Sequence, residues 1–206
     1  VAGVAPPLRR AGVMTTSPST CAIVLAGGRS TRFGSDKSLA ILRGKPLLAH
    51  VLRACAARFP RVFLVAKDPA RYGSFCGDAN LVRDLAAVST PLAGIEAGLA
   101  ITPADVAFCC AGDMPFAVDP ALLDALFAAL EGHDAAVPVN DGHLQPLCAL
   151  YRREPCLAAA SAALAAGPVG PRRLLDAVNT AQVPWADPKP FLDADTREDL
   201  ARIATL

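Results

Sequence analysis

Three glycines, two arginines and a lysine fall in one short segment, Gly27-Gly28-Arg29-Ser30-Thr31-Arg32-Phe33-Gly34-Ser35-Asp36-Lys37. Glycines let the backbone take left-handed angles and bring its N–H groups close to a phosphate. Arg29, Arg32 and Lys37 add positive charge, and an arginine can hold two phosphate oxygens at once. The chemistry this suits is polyphosphate binding. An ordinary basic surface turn would share the composition. The order of buried strand, glycines and then cations favours a ligand loop. The segment is not a P-loop, because Ser35-Asp36 follow Gly34. It also lacks the Gly-x-Gly-x-x-Gly spacing of dinucleotide sites.

The second candidate is Asp113 in Gly112-Asp113-Met114-Pro115-Phe116. It follows an apolar run, Val106 to Ala111, and precedes a constrained Met-Pro turn. Open α/β sheets place their ligands at the C-terminal ends of buried parallel strands. An Asp there can also be a turn former or helix cap. Beside a cationic triphosphate loop it reads as a ligand for Mg2+, which takes one or two carboxylates along with phosphate oxygens and water. His50, His133 and His143 form no catalytic constellation and are assigned no role.

The elements that must position these residues alternate between strand and helix. Cys21 to Ala26 reads as a buried first strand feeding the loop. Pro46 opens a helix with Leu47, Leu48, Val51, Leu52 and Cys55 on one face. Arg61 to Ala66 reads as a second, parallel strand, Pro69 to Cys76 as a short helix or loop, and Leu81-Val82 as a brief strand ending at Arg83-Asp84. Thr90 caps a helix with Pro91 at its first position. Gly94 and Gly98 lie on one face of it. They suit either close packing on the sheet or close approach of a base or ribose.

Further on, Pro120 to Leu130 is expected to be a helix and Asp134 to Val139 a strand. Asn140-Asp141-Gly142 reads as a hairpin turn and Leu144 to Tyr151 as the returning strand, with Pro146 at an edge or start. Helices over Ala158–Ala166 and from Gly170-Pro171 to Val178 and a strand near Gln182–Pro184 follow. Thr196 and Asp199 resemble a capping box on the closing helix.

With 206 residues the chain fits one domain, 21–206, behind a tail over 1–20 that lacks periodicity and is expected to be disordered. Met14 is a candidate natural start, and the tail has no apolar h-region. A net charge of +1 gives no reason to expect nucleic-acid or membrane binding. No stretch is long and apolar enough to span a membrane. The seven cysteines make no Cys-x-x-Cys pair and lie mostly in apolar runs. They read as reduced core thiols of a cytoplasmic protein.

Leu25-Ala26-Gly27-Gly28, the Arg32-Phe33-Gly34 and Asp36-Lys37 steps, Pro91-Leu92-Ala93-Gly94, Asp113-Met114-Pro115-Phe116 and Gln145-Pro146-Leu147 occur in the order seen in one family. The chain resembles the molybdenum cofactor guanylyltransferases of the nucleotidyltransferase superfamily, from about Ala22 to about Ile203. Phe33 stands where the family usually has Met, and Thr90 where it usually has Gly. Gly112 replaces a frequent Cys, and Asp193 and Asp195 replace two Asn. The last pair is the form found in the related cytidylyltransferases.

The resemblance implies a three-layer α/β/α Rossmann-like sheet, mostly parallel with an antiparallel part, of the nucleotide-diphospho-sugar transferase type. It implies transfer of GMP from GTP to the terminal phosphate of molybdopterin, with release of pyrophosphate. Nucleotide contacts carry over onto Leu25, Ala26, Gly27, Gly28, Lys37, Asp84 and Asp113, and the Mg2+ ligand onto Asp113. A further polar family position falls on Val65, which cannot make that contact. Arg32, Lys37 and Asp113 are the catalytic candidates; Asp195 and Asp193 are candidates for touching the metal or the pterin, or for a cap. Transient contact with proteins that deliver and accept the cofactor is also implied. The rival readings are a cytidylyltransferase on the same cofactor, a sugar-1-phosphate nucleotidyltransferase and a non-catalytic GTP-binding regulator.

Overall fold

The computed structural model of the protein describes residues 20–27 and 36–206. The first strand, β1 (Thr20–Leu25), is buried along nearly its whole length, so every side chain must meet a neighbour. Its residues alternate between two apolar layers, because successive strand side chains point to opposite faces. Ala22 and Val24 pack on one side, Cys21 and Ile23 on the other. Thr20, placed in the tail by the sequence reading, already belongs to this strand.

A small hairpin follows, β2 (Ile41–Leu42) and β3 (Lys45–Pro46), turned by Arg43 and Gly44. Pro46 ends it and stands at the N-cap of α1 (Leu47–Arg58), whose buried residues are the five expected ones. Then come β4 (Val62–Ala66), β5 (Asn80–Arg83), α2 (Pro91–Ile101) and β6 (Val106–Ala111). The second half holds α3 (Pro120–Ala129), β7 (Ala135–Asn140), β8 (His143–Leu144), β9 (Cys148–Arg152), α4 (Arg153–Ala165), α5 (Arg172–Leu175), β10 (Thr180–Pro184) and α6 (Arg197–Ala204).

Among the described residues, the strands other than the β2–β3 hairpin form one sheet in the order β10-β7-β9-β6-β1-β4-β5, with β8 paired to β7. β1 lies parallel to both β4 and β6, and β4 parallel to β5. β9 runs antiparallel to β6 and β7. α1 and α3 cover the face that holds Ala22 and Val24; α2, α4 and α5 cover the other. This is the expected three-layer, mostly parallel α/β/α arrangement with an antiparallel part. The chain leaves β1 toward β4 and β5, then crosses back to place β6 on its other side. The crevice outside the C-terminal ends of β1 and β6 is therefore the topological switch point, where open α/β sheets bind ligands.

Three expectations need correction. The strand expected over Leu144–Tyr151 is broken, because Pro146 has no N–H for a ladder and Cys148 N–H closes a turn on Gln145 O at 3.0 Å. α4 begins at Arg153, five residues before the expected Ala158, because Pro155 lies in the first turn, where its missing N–H is tolerated. The helix expected through Val178 is only Arg172–Leu175: Asn179 must reach the start of β7, where its O accepts from Asp134 N–H, just before the strand, at 2.7 Å. The Asp141-Gly142 turn is as expected, with both residues at positive φ and Asn140 facing His143. All seven cysteines are buried and free.

Candidate functional site

The ends of β1 and β6 are tied together at the switch point. Gly112 N–H donates to Leu25 O at 2.8 Å, and Ala26 N–H donates to Val65 O of β4 at 2.9 Å. Gly27 then leaves the sheet at φ 88°, a left-handed angle that a side chain would strain. Gly28 and Arg32 lie outside the described residues, as do Arg29 and Gly34. The chain is described again from Asp36, whose Oδ1 accepts Ser38 N–H at 3.1 Å. That contact caps a 3-10 turn, Lys37–Leu39, in which Lys37 is the first residue.

Lys37 reaches across the crevice. Its Nζ pairs with Asp113 Oδ2 and lies 2.6 Å from Asp195 Oδ1. Asp113 is buried at the end of β6, whereas Asp195 is half exposed. Burial pulls the Lys37 ammonium's pKa down, but the two carboxylates outweigh it, and the group is held above its ordinary range. Asp195 arrives from far along the chain. Ala194 is fully buried with Leu42, Leu47 and Ile203, and this small cluster pins the C-terminal segment against the hairpin and α1. Thr196 and Asp199 form the expected capping box on α6. The cap therefore leaves Asp193 and Asp195 free to face Asp113.

One carboxylate oxygen from each of Asp113, Asp193 and Asp195 lies within 4.8 Å of the others. Three carboxylates so close together form an all-oxygen donor set, the kind that would hold Mg2+. The carboxyl of Asp193 is held above its ordinary value by burial and by the facing charges of Asp195 and Asp113. The centre is short of positive charge even with Lys37 in place. Oxygen donors and a charge deficit are what a hard divalent cation requires, so the residues fit Mg2+.

A cleft of about 340 Å³ opens beside this centre. It is lined by Leu25, Ala26, Gly27, Lys37, Asp84 and Asp113, among others, so all the expected contacts that are described meet in one place. Asp84 is buried and pinned: its Oδ1 accepts Ala86 N–H, and its Oδ2 meets Lys67 Nζ, each at 2.9 Å. Val65 is buried as expected for an apolar residue there. The polar group nearby is Lys67, which also donates to Ala86 O at 2.6 Å and Val88 O at 3.0 Å. Lys67 went unnoticed in the sequence, although a cation directly after a buried strand was a visible signal. Tyr72 and Arg71 also line the cleft and were missed; nothing in their local sequence marks them.

Gly94 and Gly98 divide the two roles foreseen for them. A Cβ on Gly98 would come 2.6 Å from Ile23 Cγ2, so that glycine serves helix–sheet packing. A Cβ on Gly94 would come 3.2 Å from Leu25 Cδ2, and Gly94 also lines the cleft.

The model of the MobA-like NTP transferase domain matches residues 22–183. The chain belongs to this family. It is a nucleotidyltransferase. It is 37% identical over 200 residues to a molybdenum cofactor guanylyltransferase of Burkholderia ambifaria, covering 91% of this chain and 97% of that one. It is 33% identical over 136 residues to a probable molybdenum cofactor guanylyltransferase of Natranaerobius thermophilus, covering 64% of this chain and 66% of the relative. The fold is similar to that of molybdopterin-guanine dinucleotide biosynthesis protein A from Archaeoglobus fulgidus. That match has a TM-score of 0.76 and 27% identity, over 89% of this chain and 96% of the other. Among the described residues, no helix is long and apolar enough to cross a membrane.

Proposed function

We propose that the protein transfers GMP from GTP to the terminal phosphate of molybdopterin, releasing pyrophosphate. The observation that carries this reading is Lys37 held between Asp113 and Asp195 at the mouth of the switch-point cleft. A terminal phosphate oxygen of molybdopterin attacks the α-phosphorus of GTP. The bond from that phosphorus to the bridging oxygen breaks, and the electron pair leaves with pyrophosphate. The nucleophile is already ionised at neutral pH, so no strong general base is needed. Catalysis is then positioning and charge neutralisation.

Leu25, Ala26, Gly27 and Asp84, which line the cleft, are assigned the nucleotide contacts. Lys37 stabilises negative charge developing on the leaving pyrophosphate. Arg32 is assigned the same task from its place in the glycine loop, and Gly28 an N–H contact to phosphate. Asp113, with Asp193 and Asp195, would hold Mg2+. When bound, the ion supplies charge neutralisation and alignment of phosphate oxygens. The reading places the protein in the cytoplasm, with transient contact to proteins that deliver and accept the cofactor.

Preference for CTP is the second reading, favoured by Asp193-Ala194-Asp195 and by Gly112 before Asp113. The test is pyrophosphate release with molybdopterin present, comparing the four nucleoside triphosphates. GTP is expected to give the largest kcat/KM. A larger value for CTP overturns the guanine assignment. Tight GTP binding without pyrophosphate release would identify a binder instead of an enzyme.

A further inference from the structure

Tyr72 ends a 3-10 turn, Pro69–Tyr72, and is 2% exposed, with its ring in the core on the α1 side of the sheet. Packing alone would be served by phenylalanine. The hydroxyl, however, leaves the core and donates to Asp36 Oδ2. The same oxygen would lie 3.4 Å from a Cβ on Gly27. One phenol thus holds Asp36, where the chain arrives at Lys37, and stands beside Gly27, where the chain leaves β1.

Asp36 passes this contact on. Its other carboxylate oxygen accepts Ser38 N–H, the contact that starts the 3-10 turn. With one oxygen on Tyr72 and one on the backbone, the Asp36 side chain has no freedom to rotate. Lys37 lies between the two anchor points, and its Nζ must reach Asp113 and Asp195. Arg71 stands 3.8 Å from Asp36 and is itself about half exposed, so it adds charge without fixing the geometry. Burial, then the Asp36 carboxylate, holds the Tyr72 phenol above its ordinary range, so it remains a donor at neutral pH.

We propose that Tyr72 is a positioning residue for the nucleotidyl-transfer site: through Asp36 it sets where Lys37 meets Asp113 and Asp195. The inference rests on the functional reading above only for its effect on turnover.

Tyr72→Phe keeps the ring and removes the donor. The chain has four lysines, so 13C-dimethylation gives a spectrum in which the Lys37 signal can be assigned with Lys37→Arg. In Tyr72→Phe, the Lys37 signal should move toward those of the exposed lysines. Pyrophosphate release should fall about 10- to 100-fold in kcat with KM for GTP little changed, the size expected when a charged group is displaced by a fraction of an ångström to an ångström. In a Lys37→Ala background the same substitution should change nothing further. Asp36→Asn, which loses the charge that Tyr72 meets, should move the Lys37 signal the same way and answers the question if Tyr72→Phe does not fold. An unmoved Lys37 signal in the folded variant overturns the proposal. A wild-type protein that releases no pyrophosphate would defeat the functional reading and still leave the Lys37 signal to decide this one.

Discussion

Lys37 and Asp195 stand 158 positions apart in the chain and meet at 2.6 Å. One follows the glycine loop, and the other sits just ahead of the last helix. Their contact closes the site from two sides, and Lys37 pairs at the same time with Asp113 at the end of β6. Ala194 makes this possible, because burying it fixes both flanking aspartates at the cleft mouth.

Replacing Lys37 should separate catalysis from folding. Lys37 begins a short 3-10 turn, and its side chain is part of neither large core. Lys37→Ala leaves buried Asp113 without this cation, so Tm should fall by a few degrees while the fold persists. Pyrophosphate release should drop about 100-fold or more, as when one preorganised charge partner is removed from a transition state. Near-normal release would remove Lys37 from the triphosphate site.

Asp193 gives a pH-dependent stability effect whose sign can be worked out. Its folded-state pKa lies above 3.8, because of burial, Asp195 and Asp113. Folding therefore favours its protonated form. The stability it contributes is full below the unfolded value and is lost as pH rises through the folded one. Without Mg2+, Asp193→Asn should raise Tm slightly at neutral pH, and the gain should vanish in acid. Salt should shrink the effect, because the residue is partly exposed. Added Mg2+ should stabilise the wild type more than this variant. Thermal melts at two pH values, with and without Mg2+, check each sign.

Much of this centre could be read from the chain in advance. The parallel strands, the Thr90-Pro91 helix start and the strand-end position of Asp113 follow from periodicity and capping chemistry, which are local. The meeting of Lys37 with Asp195 does not, since it depends on the buried Ala194 cluster joining distant segments. The Asp36–Tyr72 contact was invisible for the same reason. The overlong Leu144–Tyr151 strand came from reading apolar alternation through Pro146, where the missing N–H forces a turn.

The two helical glycines separate packing from ligand approach. Gly98→Ala would push a methyl group into Ile23, which is fully buried, and should cost about 1–3 kcal/mol of stability. Gly94→Ala meets the movable end of Leu25 at 3.2 Å, so its effect on stability should be smaller. Because Gly94 lines the cleft, that substitution should instead raise KM for GTP. Urea titrations and KM measurements on the two variants provide the check, and equal stability losses with unchanged KM would contradict the division.

The most direct measurement is made on Asp113→Asn. Asparagine keeps the size and still accepts a hydrogen bond, so the Gly112–Pro115 turn should survive and Tm should change little. The negative charge that draws a hard cation is lost. Mg2+ binding, read by calorimetry in the absence of nucleotide, should weaken strongly, and Mg2+-dependent pyrophosphate release from GTP should fall by several orders of magnitude. A folded Asp113→Asn protein with nearly full activity and unchanged Mg2+ dependence would contradict the assignment of this cleft as a metal-assisted nucleotidyl-transfer site.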